Sequence, residues 1–241
     1  MNISNASVLI VGGSRGLGRA LGIAMAQQGS AVTLVARHAV DLEKAVREIR
    51  EAGGQAFGIQ GDIGDKDSAY RISGQSAAMA GPADILVLNS STLGPLPLRM
   101  LLDTECEDLE RVLQLNLVGP FRLAKAVAGP MALRGSGLVI SISSDAAVEA
   151  YAGWGAYGIS KAGLDQMTKL FGKELEAGGV RFLSIDPGEM NTQMHADAMP
   201  DADPAALRSP KEVAERICDI IRNSDLYDNG ARLIVSQVEA S

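Results

Sequence analysis

The sequence predicts an α/β fold, a doubly wound sheet of seven parallel strands flanked by helices. Three observations predict it. Short apolar runs alternate with longer stretches of helical periodicity along the 241 residues. The first run leads into a glycine-rich turn, Gly12-Gly13-Ser14-Arg15-Gly16-Leu17-Gly18, that opens a helical pattern. The hydrophobic share, 46%, is ample to cover a parallel sheet on both faces. Residues 1–241 read as a single domain without an internal repeat, linker or low-complexity tract.

The strands are expected at 8–11, 31–36, 56–60, 85–88, 138–142, 181–185 and 232–235. Each run is short, as strands buried on both faces are. Between them, segments such as 18–28, 41–52, 106–133 and 154–175 have helical length and 3.6-residue periodicity, so βαβ units are the economical solution. One segment breaks the rhythm. Residues 193–210 carry Pro200 and Pro204 and little periodicity, which predicts an irregular excursion after a strand end. Its position at a carboxyl end, where such sheets bind ligands, favours a substrate lid over a passive connector.

Composition excludes several functions. A net charge of −7, from 22 basic against 29 acidic residues and with no basic run, disfavours nucleic acid. The amino-terminal region has no basic stretch leading into a long apolar one, and 8–11 is too short to span a bilayer, so a soluble cytoplasmic protein off the membrane is expected. Cys106 and Cys218 fall in helical segments as a separated pair, which predicts reduced thiols. His38 and His195 have no metal-ligand partner at useful spacing, so no metal site is expected and His195 reads as a lid residue.

Two features carry chemistry. The glycine turn permits close backbone approach and aims helix amino-terminal amides at a pyrophosphate; the alternative is a turn without a ligand. Tyr157 and Lys161 lie one turn apart on one face of the helix expected over 154–175. An ammonium beside a phenol lowers its pKa from about 10 toward neutrality, which would make Tyr157 a usable acid and base; the alternative is a surface helix pair.

The company of these residues decides between the readings. Ser144 lies thirteen residues before Tyr157 and Asn116 forty-one before it, while Pro187-Gly188 and Thr192 follow. Together with the Gly-x-x-x-Gly-x-Gly turn and Tyr-x-x-x-Lys, they resemble the short-chain dehydrogenase/reductase family. The resemblance runs from about Ser7 to Val235 and fades after Thr192. It implies a Rossmann-like fold and hydride exchange between a nicotinamide coenzyme and a carbonyl or secondary alcohol. Tyr157 would transfer the proton, Ser144 would hold the substrate oxygen, Lys161 would bind the nicotinamide ribose, and Asn116 would hold a water leading from Lys161 to solvent. Ser144 is preferred to Ser143 by its offset from Tyr157.

By the same resemblance, Gly12, Ser14, Arg15, Gly16, Leu17 and Gly18 would cradle the coenzyme pyrophosphate, Asp62 and Ile63 the adenine, and Asn89 the adjoining segment. Pro187 and Gly188 would shelve the nicotinamide, with Thr192 reaching its carboxamide or the pyrophosphate. Val11 and Leu88-Asn89-Ser90-Ser91 depart from the family pattern, the latter keeping one asparagine of Asn-Asn-Ala-Gly. Arg37 stands after the second strand, where NAD-preferring proteins carry an acid. With Arg15 it could hold a 2′-phosphate, so NADP(H) is expected over NAD(H); ordinary solvated arginines are the alternative. A homo-dimer or homo-tetramer through the 106–133 and 154–175 helices is implied as well. Glu149, Tyr151 and Trp154 are expected around the mouth for a small-molecule substrate whose identity carries no motif. The competing readings are an NAD-dependent alcohol dehydrogenase, a dinucleotide-sensing protein without chemistry, and a nucleotide-sugar epimerase, which would need a further sugar-binding lobe.

Overall fold

The structure, a computed structural model, describes residues 1–238. The first half runs β1 (Ser7–Val11), α1 (Gly16–Gln27), β2 (Ala31–Ala36), α2 (Ala39–Glu51), β3 (Gln55–Gln60), α3 (Ser68–Ala80) and β4 (Ile85–Leu88). The second half runs α4 (Cys106–Leu113), α5 (Gly119–Arg134), β5 (Gly137–Ile142), α6 (Gly155–Glu174), β6 (Val180–Asp186), α7 (Gln193–Ala198), α8 (Pro210–Arg222) and β7 (Arg232–Ile234). All seven strands pair in parallel in the order β3-β2-β1-β4-β5-β6-β7, a Rossmann-like sheet whose strand bounds fall within one residue of those expected.

The two-residue period of a strand divides the core into two layers. Val8 and Ile10 of β1 join the cluster beneath α1, α2 and α8, while Leu9 and Val11 join the one beneath α3, α5 and α6. Burial on both faces explains why the strands read as continuous apolar runs. The helices instead carry one-sided stripes. In α8, Val213, Ala214, Ile217, Cys218, Ile220 and Ile221 are buried, Ser209 Oγ caps the start by accepting from Glu212 N at 3.1 Å, and Pro210 occupies the first turn. Burial also pushes the Cys218 thiol up to about 11, so it stays protonated.

Two expectations need correction. The segment 106–133 is not one α-helix, because a π-turn at Gln114–Val118 separates α4 from α5, with Gly119 N donating to Gln114 O. The wider turn swings Asn116 fully inward, and a Cβ at Gly119 would lie 2.5 Å from the Ile63 carbonyl oxygen. The π-turn takes up its extra residue within one wide turn, so the helical stretches on either side still read as one segment of helical length. The segment 193–210 is also more ordered than its prolines suggested. Thr192 caps α7 by accepting from His195 N at 3.3 Å, Asp203 caps a short 3₁₀ turn at Pro204–Ala206, and Asn191 N donates to Arg208 O at 2.9 Å to close the neck.

The glycine turn is dictated by space. A Cβ at Gly18 would lie 2.1 Å from the Gly12 carbonyl oxygen, and one at Gly12, whose φ is +75°, would meet Asn89 and Ser90 at 2.9 Å. Gly18→Ala is therefore expected to cost about 2–3 kcal/mol in urea unfolding, the range of an overpacked core. Gly53→Ala, at φ +84° in open space, should lose only about 1 kcal/mol. Equal midpoints for the two variants would contradict this account of the turn.

Candidate functional site

Strand order reverses between β1 and β4, and the chain leaves their paired carboxyl ends toward opposite faces of the sheet. A cavity of about 460 Å³ opens there, within the usual size of a ligand site. It brings together Gly12, Ser14, Arg15, Gly16 and Leu17 from the glycine turn, Arg37 after β2, Asp62 and Ile63 after β3, and Asn89 after β4. Ser144, Tyr157, Lys161, Pro187, Gly188 and Thr192 line its other end. Two of the residues expected to bind coenzyme or take part in catalysis lie off the wall. Gly18 packs behind the turn, and Asn116 is buried beneath the cavity floor.

At the glycine-turn end, Asn89 Nδ2 donates to the Gly12 carbonyl at 2.9 Å and holds the turn against β4. A Cβ on Gly16 would lie 3.6 Å from Thr192, which closes the turn from the opposite side. Asp62 Oδ1 accepts from Gly64 N at 2.9 Å, so it shapes its own loop as well as facing the cavity. Arg15 and Arg37 are exposed, and their guanidinium groups form no ion pair among the described residues.

At the other end, Tyr157 and Lys161 share the buried face of α6, with Lys161 Nζ 5.5 Å from the Tyr157 ring centroid. Lys161 is 2% exposed and donates to the Ile142 carbonyl at 2.7 Å. Burial lowers it to about 8, against the pull of Asp165 and Asp186, whose charges favour the ammonium. The Tyr157 phenol is not lowered toward neutrality as the pairing predicted. Burial pushes it up to about 12, and the neighbouring hydroxyls of Ser144 and Ser91 offset only part of that shift. The desolvation of an enclosed phenol outweighs its proximity to the lysine.

Asn116 uses both ends of its amide. Its Oδ1 accepts from Thr92 N at 2.8 Å, and Nδ2 donates to Thr92 O at 2.8 Å and to Ser160 Oγ at 2.9 Å. Ser160 in turn donates to the Tyr157 carbonyl at 2.6 Å. The π-turn thereby ties the chain after β4 to the first turns of α6. Ser144 Oγ donates to Asp145 Oδ1 at 2.9 Å, while Asp145 Oδ2 accepts from the Tyr151 hydroxyl at 2.9 Å. Tyr151 and Trp154 line the mouth, with Trp154 edge-on to Tyr157 at 5.7 Å; Glu149 is exposed and lies off the wall. His195 lines the cavity from α7, its Nε2 3.5 Å from Glu189 Oε1.

Sequence reasoning missed a buried charge cluster behind this end. Arg232 of β7 donates to Asp165 Oδ2 at 3.1 Å, to Asp186 Oδ2 at 2.8 Å and to the Ser144 carbonyl at 2.9 Å. Charged residues inside otherwise apolar helix and strand runs were the available clue. Among the described residues no cluster of His, Cys, Asp or Glu could hold a metal, and no helix is long and apolar enough to cross a membrane.

Residues 6–203 match the family model for short chain dehydrogenases. The chain belongs to the short-chain dehydrogenase/reductase family. It is 36% identical over 195 residues to a short chain dehydrogenase of Pseudocercospora fijiensis, a match covering 79% of this chain and 61% of that longer protein. A 3-oxoacyl-[acyl-carrier-protein] reductase of Synechocystis is 33% identical over 216 residues, 87% of this chain and 86% of the relative. Among solved structures, a 7α-hydroxysteroid dehydrogenase complexed with NADH and 7-oxo glycochenodeoxycholic acid superposes with a TM-score of 0.88 at 25% identity, covering 98% of this chain and 95% of the other. Family membership carries the oxidoreductase class with an NAD(P)(H) coenzyme.

The Lys161 ammonium of this short-chain dehydrogenase is a load on the fold. Its folded pKa, about 8, lies below the ordinary 10.5, so at pH 7 the folded state holds the proton at a penalty. Between pH 8 and 10.5 the unfolded chain binds more protons, and wild-type stability rises through that window. Lys161→Met should therefore be more stable than wild type at pH 7, by about 2 kcal/mol after the lost hydrogen bond to Ile142 is deducted. The difference should shrink toward pH 10. Urea unfolding at both pH values tests this, and a Met variant less stable at pH 7 would refute it.

Proposed function

We propose that the protein is an NADP(H)-dependent oxidoreductase acting on a ketone, aldehyde or secondary alcohol, with Tyr157 as the proton-transferring group. The observation that carries the reading is the Tyr157–Lys161 pair, buried at one end of a cavity whose other end is a glycine turn where a Cβ at Gly12 or Gly18 would clash with the chain itself. A nicotinamide coenzyme supplies the hydride when bound. The residues fit one: Gly12, Ser14, Gly16 and Leu17 give a close-approach surface, and Arg15 and Arg37 offer unpaired guanidinium groups where a 2′-phosphate would lie.

The chain's own groups then divide the work. Tyr157, raised to about 12, carries its proton at neutral pH and donates it to the carbonyl oxygen. Lys161 holds its position through Ile142, offers its ammonium to the nicotinamide ribose, and stabilises the phenolate that donation leaves. Ser144 orients the substrate oxygen once its proton turns from Asp145. The Asn116 side chain is committed to Thr92 and Ser160, so a water in the proton path is left to the main-chain carbonyls of its π-turn. Asp62, Ile63 and Asn89 serve the adenosine side, and Pro187, Gly188 and Thr192 the nicotinamide side. Residues 193–210 act as the substrate lid, with Met194 and Met199 as adaptable apolar wall. A homo-oligomer through α5 and α6 belongs to the same reading, supported by exposed Phe121, Ile159 and Leu170.

One observation favours NAD(H) instead. Asp41, on the first turn of α2, lines the cavity at the same end as Arg37 and could accept from a bare ribose.

Screening carbonyl compounds for NADPH oxidation tests the activity. Tyr157→Phe should lower kcat by about 10²–10⁴-fold with coenzyme Kd unchanged; a variant keeping most of its rate would remove Tyr157 from the role. Coenzyme choice is checked by kcat/KM. NADPH should be preferred by tens to hundreds of fold, as charge-assisted bonds of about 1.5–3 kcal/mol allow, and Arg37→Asp should reverse the order. Equal values for both coenzymes in both proteins would dismiss the phosphate site.

A further inference from the structure

Ser91 stands where the family pattern places a glycine, directly after the Asn89-Ser90 segment, and the reading of the site so far gives it no task. It sits in a stretch held at both ends. Asn89 is bonded to the Gly12 carbonyl, Thr92 is bonded twice to Asn116, and Leu93 packs with Tyr157 and Ala146 in one small apolar cluster. Its hydroxyl oxygen is buried, completes no hydrogen bond with any described residue, and belongs to a residue of the cavity wall. A buried hydroxyl without a partner is unfavourable by the loss of its hydration, so its retention here calls for a ligand or a task.

The neighbouring hydroxyl is not free. A carboxylate only accepts, so the single Ser144 proton is engaged by Asp145, while Ser144 Oγ itself accepts from Ala146 N at 3.2 Å. Ser91 and Ser144 both bear on the Tyr157 hydroxyl, yet only Ser91 has an uncommitted proton. The geometry points to Ser91 as a second catalytic hydroxyl, donating to the Tyr157 oxygen and bridging to the substrate oxygen beside it. The donation is a hydrogen bond alone: no bond is exchanged, and Tyr157 remains the group that transfers the proton. Ser91 then stabilises the phenolate that Tyr157 becomes; after Ser144, it is the neighbouring hydroxyl placed to lower the Tyr157 pKa.

The inference rests on the reading of Tyr157 as the acid, and the test separates the two. Full-length protein is labelled with 3-fluorotyrosine, whose fluorine makes the phenol more acidic and brings its titration within reach. The ¹⁹F resonance of Tyr157 is identified by its loss in Tyr157→Phe and followed against pH without substrate. Ser91→Ala should move the Tyr157 midpoint up by about one pH unit, as expected for the loss of one hydrogen bond to a charged group, and Ser91→Thr should bring it back. With the best carbonyl substrate, Ser91→Ala should lower kcat about tenfold at unchanged coenzyme Kd. A Tyr157 midpoint that is the same in wild type, Ser91→Ala and Ser91→Thr overturns the Ser91 role alone. An active Tyr157→Phe overturns the reading beneath it. Should Ser91→Ala fail to fold, Ser91→Gly supplies the same comparison with the residue of the family pattern.

Discussion

The active end of the sheet depends on one guanidinium. Arg232 satisfies Asp165 from α6 and Asp186 from β6, residues only 6% and 4% exposed, and the Nη2 that meets Asp186 also donates to the Ser144 carbonyl. Two buried carboxylates so close together are unfavourable without it, and removing one partner from such a cluster typically destabilises by about 3–5 kcal/mol. The cluster joins the elements that carry the chemistry. Asp165 lies one turn beyond Lys161, Asp186 accepts from Gly188 N at 2.9 Å and so shapes the Pro187-Gly188 turn, and Ser144 lies two residues past the end of β5. The short final strand β7, with only three residues, is worth its place in the sheet through this contact.

The same carboxylates set the charge state of the pair in front of them. Burial lowers Lys161 to about 8, and the charges of Asp165 and Asp186 pull the other way, toward the ammonium. Tyr157 receives no comparable help and stays a protonated phenol. A buried ammonium beside a buried phenol is a poor arrangement for stability and a good one for proton transfer, since each stores free energy that a change in the other's charge releases. The fold bears that load because its two apolar layers are almost completely buried.

A second constraint is positional. The glycine turn, the chain after β4 and the start of α6 come from distant parts of the sequence and are fastened in series, from Gly12 to Asn89, then from Thr92 to Asn116, Ser160 and Tyr157. Each link is a hydrogen bond between partly or fully buried groups, where an unmet partner is costly. The π-turn is what lets Asn116 reach into this series from the middle of a long helical segment. The glycine turn and the Tyr157–Lys161 pair are thus held in fixed relation before any ligand binds, as the proposed site, working by orientation, would require.

The seven strands, their parallel pairing and the glycine turn are legible before any coordinates because they rest on local patterns: apolar runs of strand length, helical stripes between them and closely spaced glycines. The sequence also put Tyr157 and Lys161 on one face, since their spacing is that of a single helical turn. Tertiary structure decided the rest. The inward turn of Asn116 needed a π-turn that periodicity does not register, and the order within 193–210 came from caps and a neck contact between residues 191 and 208. The charge state of Tyr157 followed from enclosure, which spacing along a helix cannot report. Arg232 found its two carboxylates across 67 and 46 residues of chain, a pairing that no local pattern encodes and that long-range packing alone brings about.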